Sequence, residues 1–160
     1  MGAVEVRRAR DAELEAVALL RWRMAHEHGG DVEAASEAAA AYAAEAAAWS
    51  RAHADSHVPM VAVADGAVIG CAWLAITARV PTPGALERRS GDLQSCFVVP
   101  ERRGAGIGRR LAEAVLAEAR ERGLEHVTVH ASPASIPVYE RAGFRANPRS
   151  LHADAAIPER

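Results

Sequence analysis

The spacing of hydrophobic and polar positions predicts a strand followed by two helices in the first third of the chain. Residues 4–9 alternate like a short strand, whereas the apolar residues of 11–28 recur at helical spacing. The alanine-rich stretch 31–54 favours a second helix, because alanine has a high helix propensity. On that helix Tyr42 and Trp49, seven residues apart, share one face.

The middle of the chain has the pattern of a β-hairpin followed by another strand. Two β-branched runs in 58–76 flank the dipeptide Asp65-Gly66, a strong signal for a tight hairpin turn. Residues 77–91 are rich in proline and glycine and are predicted as a loop. The apolar run 92–100 is predicted as a strand closed by proline.

The last third predicts helix, strand and helix in turn. An amphipathic helix is expected over 107–122, ended by Gly123. Residues 125–131 alternate as a strand, and 132–144 contain a short helix. The resulting order, β-α-α-β-β-β-α-β-α, predicts one mixed α/β domain over residues 1–160.

Composition restricts the functions open to this domain. The chain has 160 residues and a net charge of −2, which argues against a nucleic-acid or anionic-membrane surface. It shows neither a membrane-spanning apolar stretch nor a signal-peptide pattern, so a cytoplasmic protein is expected. Cys71 and Cys96 lie in apolar runs and are expected as buried thiols. All 19 basic residues are arginine, which excludes a P-loop and a Schiff-base lysine.

Metal binding is not expected from the histidines. His126 and His130 lie on one predicted strand, where four residues separate side chains by ~13 Å, too far to share one ion. The pair His53 and His57 straddles a predicted helix end, and no third ligand is evident.

The segment ERRGAGIGRR, residues 101–110, has the character of a phosphate-binding loop. Glycine lets the backbone approach an anion closely, and the following helix start offers unpaired N–H groups and a favourable dipole. The spacing departs from the dinucleotide fingerprint at its third glycine, and the loop lies near the middle of the chain rather than opening a βαβ unit. The diphosphate of coenzyme A is the remaining candidate.

Two motifs in this order resemble the GNAT superfamily of N-acetyltransferases. VVPERRGAGIGRRL is similar to the family's acyl-CoA loop, Arg/Gln-x-x-Gly-x-Gly/Ala, met here by Arg103, Gly106 and Gly108. SPASIPVYERAGF is similar to the downstream segment that ends in Tyr-Glu-Arg/Lys-x-Gly-Phe. Together with the order of elements, the resemblance covers nearly the whole chain. It implies a central, mostly antiparallel sheet that is splayed between its two middle strands and flanked by helices.

The resemblance also implies that acetyl-CoA is the co-substrate. Backbone N–H groups of the loop would wrap the diphosphate, as in an anion-binding nest, and the preceding strand would pair with the pantetheine amides. Ser132 stands where the family often has asparagine. The residues expected at the cofactor are Phe97, Val98, Val99, Arg103, Gly104, Ala105, Gly106, Ile107, Gly108, Arg109 and Ser132.

Acetylation of an amine by a thioester needs a base for the amine proton and benefits from an acid for the thiolate. Tyr139 matches the family's tyrosine near the sulfur, and a phenol of pKa ~10 can protonate a thiolate. The alternative for Tyr139 is an aromatic packed beside Phe144. The family's strand glutamate is missing from residues 93–96. Asp92, Glu87, a water relay and an already deprotonated amine therefore remain candidates for removal of the proton.

The family implies an acceptor pocket between the first two helices and the splayed sheet. Trp22, His26 and Glu27 are the residues expected there, although Trp22 could belong to the core and the other two to a solvated face. The acceptor would be a small-molecule or peptide amine, and a homodimer is compatible with the sequence. A domain that binds acyl-CoA as a sensor or partner module, without turnover, is the alternative from another functional class.

Overall fold

In the computed structural model, the described residues 2–27 and 36–155 form an open five-stranded sheet with four helices. The order of elements confirms the predicted one. The elements are β1 (Glu5–Arg8), α1 (Leu14–Ala25), α2 (Glu37–Ala52), β2 (His57–Ala64), β3 (Ala67–Arg79), β4 (Arg88–Val98), α3 (Ile107–Glu121), β5 (Val127–Val129) and α4 (Ile136–Ala142). None of the helices within these residues is long and apolar enough to cross a membrane.

The sheet has the strand order β1-β2-β3-β4-β5. The first four strands pair antiparallel and β5 pairs parallel to β4, so the expectation of a mostly antiparallel sheet is confirmed. β5 meets β4 only along residues 91–93. Beyond that point β4 continues to Val98 without β5 beside it. The strands therefore separate between β4 and β5, and β5 is the last strand of the described sheet rather than one of the two middle strands of the prediction.

Helices cover both faces of the sheet because side chains alternate along each strand. Gly70 faces α3, where an added Cβ would come within 3.1 Å of Leu111. Cys71 and Trp73 point to the other face, which carries α1 and α2. The buried core accordingly continues on both sides of the sheet.

The β2–β3 hairpin turns as the sequence predicts. Asp65 and Gly66 both have positive φ, at 51° and 78°. That combination is the one a two-residue type I′ turn requires, and it explains the Asp-Gly dipeptide.

Strands β3 and β4 are longer than predicted, because residues 77–79 and 88–91 of the expected loop 77–91 belong to them. Residues 77–79 of β3 pair with residues 88–90 of β4, and residues 80–87 connect the two strands. Gly91 looked like a loop residue in the sequence, but it lies in β4 where a Cβ would come within 2.7 Å of Leu74. Glycine is needed here for close packing, a requirement that composition does not reveal.

Two other predicted elements have different limits. The expected strand 125–131 is reduced to the three residues of β5. The second helix was expected over 31–54, of which 31–35 lie outside the described residues. Helix α2 is capped by Ser36, whose hydroxyl accepts a hydrogen bond from the Ala39 N–H at 3.1 Å.

Candidate active site

A groove of about 680 Å³ opens where β4 and β5 separate. The end of β4 and the loop before α3 form one part of its wall, and the segment after β5 together with α4 forms another. The two sequence motifs, distant along the chain, thus line the same groove. Predicted site residues among its lining are Glu27, Phe97, Val98, Arg103, Gly104, Gly106, Ile107, Gly108, Arg109, Ser132 and Tyr139.

The backbone of the glycine-rich loop has the left-handed conformation that glycine permits. Gly104 has a φ of 82° and Gly106 a φ of 77°. Gly106 is also the N-cap residue of α3, and no side chain caps the helix there. A Cβ at either glycine would meet nothing within 4 Å. Backbone conformation and open space, rather than packing, therefore account for these two glycines.

The groove is rich in positive charge. Arg102, Arg103, Arg109 and Arg141 contribute to its lining, against the single carboxylate of Glu27 among the described lining residues. Guanidinium groups near an uncapped helix N-terminus favour an anion, and they suit the several charges of a diphosphate.

Arg103 ties the loop to the strand before it. Its Nε donates to the Val98 carbonyl at 2.9 Å, and its guanidinium lies 5.2 Å from the centre of the Phe97 ring. Its Nη1 also forms an ion pair with Glu27 Oε1 at 2.6 Å. Glu27, expected in the acceptor pocket, is thus placed in the wall of the 680 Å³ groove.

Tyr139 lines this groove together with Cys96, and the two side chains interact electrostatically. Burial of the phenol is the main cause that raises its pKa, and Cys96 adds to the effect. Its ring also packs edge-on against Phe144, with 5.6 Å between the ring centroids. The packed and the functional interpretation of Tyr139 are therefore compatible, because the ring packs while the protonated hydroxyl faces the groove.

Strand β4 contains a β-bulge beside this point. Cys71 pairs with Phe97, but Trp73 pairs with Gln94, so Ser95 and Cys96 together oppose one residue of β3. Ser95 has a φ of 56°, which is uncommon outside glycine. Gln94 and Ser95 therefore line the same pocket, although neighbouring residues of a regular strand face opposite sides, and Cys96 lines the other pocket.

The pocket beside Ser95 is smaller, at about 160 Å³, and lies between α1, α2 and the sheet. Its lining comes from five elements, and aromatic rings are prominent in it. The residues are Val17, Ala18, Arg21, Tyr42, Ala46, Trp49, Ser50, His57, Trp73, Gln94 and Ser95. Neighbouring residues of the bulge, Ser95 and Cys96, thus belong to the linings of two different pockets.

This smaller pocket is where an acceptor was expected, but with different residues. The rings of Trp22 and His26 stack on each other with centroids 4.4 Å apart. Neither of them is among the described residues that line the pocket. One sequence signal indicated the residues that line this smaller pocket, namely the helix face that Tyr42 and Trp49 share.

Asp92 lies next to the smaller pocket. Its carboxylate accepts hydrogen bonds from Gln94 Nε2 at 3.0 Å and from Thr128 Oγ1 at 2.9 Å. Gln94 lines the pocket, and Asp92 contacts this lining residue through the hydrogen bond. Glu87 precedes β4, and eight residues of extended strand place it about 25 Å from Ser95.

Known proteins resemble this chain in sequence and in structure. The acetyltransferase (GNAT) family model matches residues 14–144. This chain belongs to the GNAT acetyltransferase family. Over 89 residues it is 34% identical to glucosamine 6-phosphate N-acetyltransferase of Trypanosoma brucei brucei, covering 56% of this chain and 58% of that relative. The chain therefore matches little more than half of that protein.

Solved structures show the same fold. An acetyltransferase of Trypanosoma brucei has a TM-score of 0.71 at 26% identity, over 96% of this chain and 100% of that one. A predicted acetyltransferase of Clostridium acetobutylicum, solved with acetyl-CoA, has a TM-score of 0.69 over 95% and 96% of the chains. At 19% identity, the second likeness concerns the fold alone.

Two residues expected at the cofactor of this GNAT protein, Val99 and Ala105, are not among the described residues that line the groove. Val99 is buried, and its N–H donates to the Ile69 carbonyl at 2.9 Å, so that N–H is already used. Ala105 is exposed between the two left-handed glycines. A pantetheine arm would therefore meet the strand at Phe97 and Val98, before Val99.

Proposed function

We propose that this GNAT-family protein transfers an acetyl group from acetyl-CoA directly to a primary amine of a small molecule or peptide. The observation that carries the proposal is the 680 Å³ groove, in which the glycine-rich loop and Tyr139 come together. This groove fits a long ligand with a diphosphate, and the smaller pocket has room for a small acceptor. A thioester between the two would face both Tyr139 and the acceptor amine.

The larger groove supports acetyl-CoA as the co-substrate. Its left-handed glycines and the uncapped start of α3 present backbone N–H groups to a diphosphate, and its arginines supply the opposite charge. The edge of β4 beyond residue 93 has no β5 beside it, so its peptide groups can pair with the pantetheine amides.

The chemical step then needs two proton transfers. The amine nitrogen attacks the thioester carbon, forming a C–N bond, and the C–S bond breaks. Asp92 accepts the proton lost by the amine through a water, since Gln94 stands between Asp92 and the pocket. Tyr139 gives its proton to the departing thiolate, and its raised pKa keeps that proton available at neutral pH.

Thermal unfolding and free-thiol release test the proposal together. Acetyl-CoA should raise the melting temperature, because a ligand that binds the native state stabilises it. ADP should do so less, since it lacks the pantetheine arm. A panel of primary amines should then release CoA thiol. Stabilisation without thiol release would favour the acyl-CoA-binding module, and no shift at millimolar acetyl-CoA would contradict the assignment.

A further inference from the structure

The 160 Å³ pocket combines flat apolar walls with a single formal charge. Tyr42 and Trp49 reach it from α2, and Trp73 reaches it from β3. Among the described lining residues, Arg21 is the one with a permanent charge, and none is a carboxylate. An acceptor that enters this pocket therefore meets one cation and several aromatic faces.

Arg21 has donors left for a ligand. Its Nη1 donates to the Met24 thioether at 3.3 Å, which is a weak acceptor. Within residues 2–27 and 36–155, no carboxylate forms an ion pair with Arg21, whereas Arg23 on the same helix is paired with Glu101. A guanidinium carries five donors in a planar fork, a geometry that matches a carboxylate or a phosphate.

The charge of Arg21 also acts on Cys71, a buried residue of β3. Burial raises the pKa of the Cys71 thiol to about 12, with Cys96 adding to the effect, and the Arg21 guanidinium acts in the opposite direction. The Cys71 thiol lies 3.9 Å from the Ser95 carbonyl. The guanidinium of Arg21 therefore acts on a side chain that contacts the bulge at Ser95.

His57 does not add a second charge to the pocket at neutral pH. Burial lowers the pKa of His57, and His53 nearby lowers it further. Its Nδ1 lies 2.8 Å from the Ser56 hydroxyl, and its ring meets Trp49 edge-on at 4.9 Å. His57 thus serves as part of the aromatic wall.

The pocket is also small. A volume of about 160 Å³ has space for on the order of ten water molecules. That suits an amine of amino-acid or monosaccharide size. A polycationic acceptor would bring further ammonium groups towards Arg21 with no carboxylate among the described lining residues to receive them.

We infer that the acceptor of this protein is a small primary amine that also carries an anionic group, a carboxylate or a phosphate, bound by Arg21. This inference rests on the proposed acetyl transfer. The amine end lies at Gln94 and Ser95, beside Asp92, and the apolar part of the acceptor packs on Trp73 and Trp49. Arg21 then determines specificity without touching the thioester.

Matched acceptor pairs test the inference. A comparison of phenylalanine with phenylalaninamide measures the effect of a carboxylate on acetylation. A comparison of glucosamine 6-phosphate with glucosamine measures the effect of a phosphate. The native protein should prefer the anionic member of at least one pair by ~10-fold or more in kcat/KM. Arg21→Gln should lower kcat/KM for that member ~10- to 100-fold, mainly through KM, because a charge-assisted hydrogen bond is lost. The neutral member should change little.

Two further variants complete the kinetic test. Arg21→Lys keeps the charge but loses the planar fork, so it should recover part of the preference. Arg120→Gln removes an exposed guanidinium from the last turn of α3, outside the lining of both pockets, and should leave both pairs unchanged. Equal or better use of the neutral members by the native protein would overturn the inference while acetyl transfer stands.

Acceptor binding is measured separately with CoA present, from the fluorescence of the tryptophans that line the pocket. Arg21-dependent binding of an anionic amine without thiol release would support Arg21 as the anion-binding residue of the pocket and contradict both the proposed transfer and the role of that amine as an acceptor. Binding of neither anionic amine, or binding that Arg21→Gln leaves intact, would overturn the inference whatever the result for transfer. The melting temperature of each variant checks its folding.

Discussion

Tyr139 and Cys96 both line the groove between β4 and α4, and each side chain acts on the pKa of the other. Burial raises the pKa of both groups, that of Cys96 to about 11. Both therefore keep their protons at neutral pH. The pair offers a proton donor to a thioester sulfur, but it offers no thiolate nucleophile.

Tyr139→Phe should lower turnover by ~10²-fold, the lower end for loss of a general acid. The ring and its contact with Phe144 remain, so the melting temperature and the affinity for acetyl-CoA should change little. Because the pKa of Tyr139 is raised, the native enzyme should not lose this function as the pH rises through the ordinary tyrosine value of ~10. Turnover and binding are measured on one preparation across pH. Unchanged turnover would leave Tyr139 a packing residue.

Cys96→Ala should retain most of its turnover, and no acetyl group should be found on the native protein. A neutral thiol with a pKa of about 11 is a poor nucleophile at pH 7. Mass spectrometry of protein quenched with acetyl-CoA would detect an acyl-enzyme. Cys96→Ser is the matched control, because it keeps a partner for Tyr139. An acetylated Cys96 together with an inactive alanine variant would contradict direct transfer.

Gly106→Ala and Gly123→Ala should separate backbone strain from cofactor binding. The two glycines have similar φ angles, 77° and 69°, and an added Cβ meets nothing within 4 Å at either site. Each variant should lose about 1 kcal/mol of stability through the left-handed backbone. Gly106 lies in the groove, whereas Gly123 follows the other end of α3. Calorimetric titration should therefore find weaker CoA binding in the first variant alone, and equal binding by both would refute the anion nest at Gly106.

Asp92→Asn should slow transfer while it preserves the shape of the site. Asparagine keeps an oxygen for Thr128 but cannot accept the amine proton, so kcat should fall by ~10²-fold or more near neutral pH. Raising the pH should restore part of the rate, because more of the acceptor then arrives deprotonated. Glu87→Gln is the matched control at the far end of β4. If Glu87→Gln lost turnover and Asp92→Asn did not, the general base would be Glu87, in the connection between β3 and β4.

Most of the architecture could be predicted because it depends on local patterns. Hydrophobic periodicity set the order of strands and helices, and the Asp65-Gly66 pair requires a type I′ turn wherever it joins two strands. The loop around Gly106 was recognisable because its glycines serve backbone conformation, which neighbouring residues largely decide. Gly91 was misread for the opposite reason. Its glycine is required by Leu74, seventeen positions earlier in the chain.

The sequence by itself determined the family resemblance, the glycine-rich loop and the position of Tyr139. Tertiary structure alone decided which residues line the 160 Å³ pocket, because Arg21, Trp49, Trp73 and Gln94 come from four elements with no common spacing. It also decided the bulge at Ser95, since a bulge exists only in the register of one strand against another. Hydrophobic spacing reports which side of an element is buried. It does not report which distant element covers that side, and the chemistry of this pocket depends on that contact.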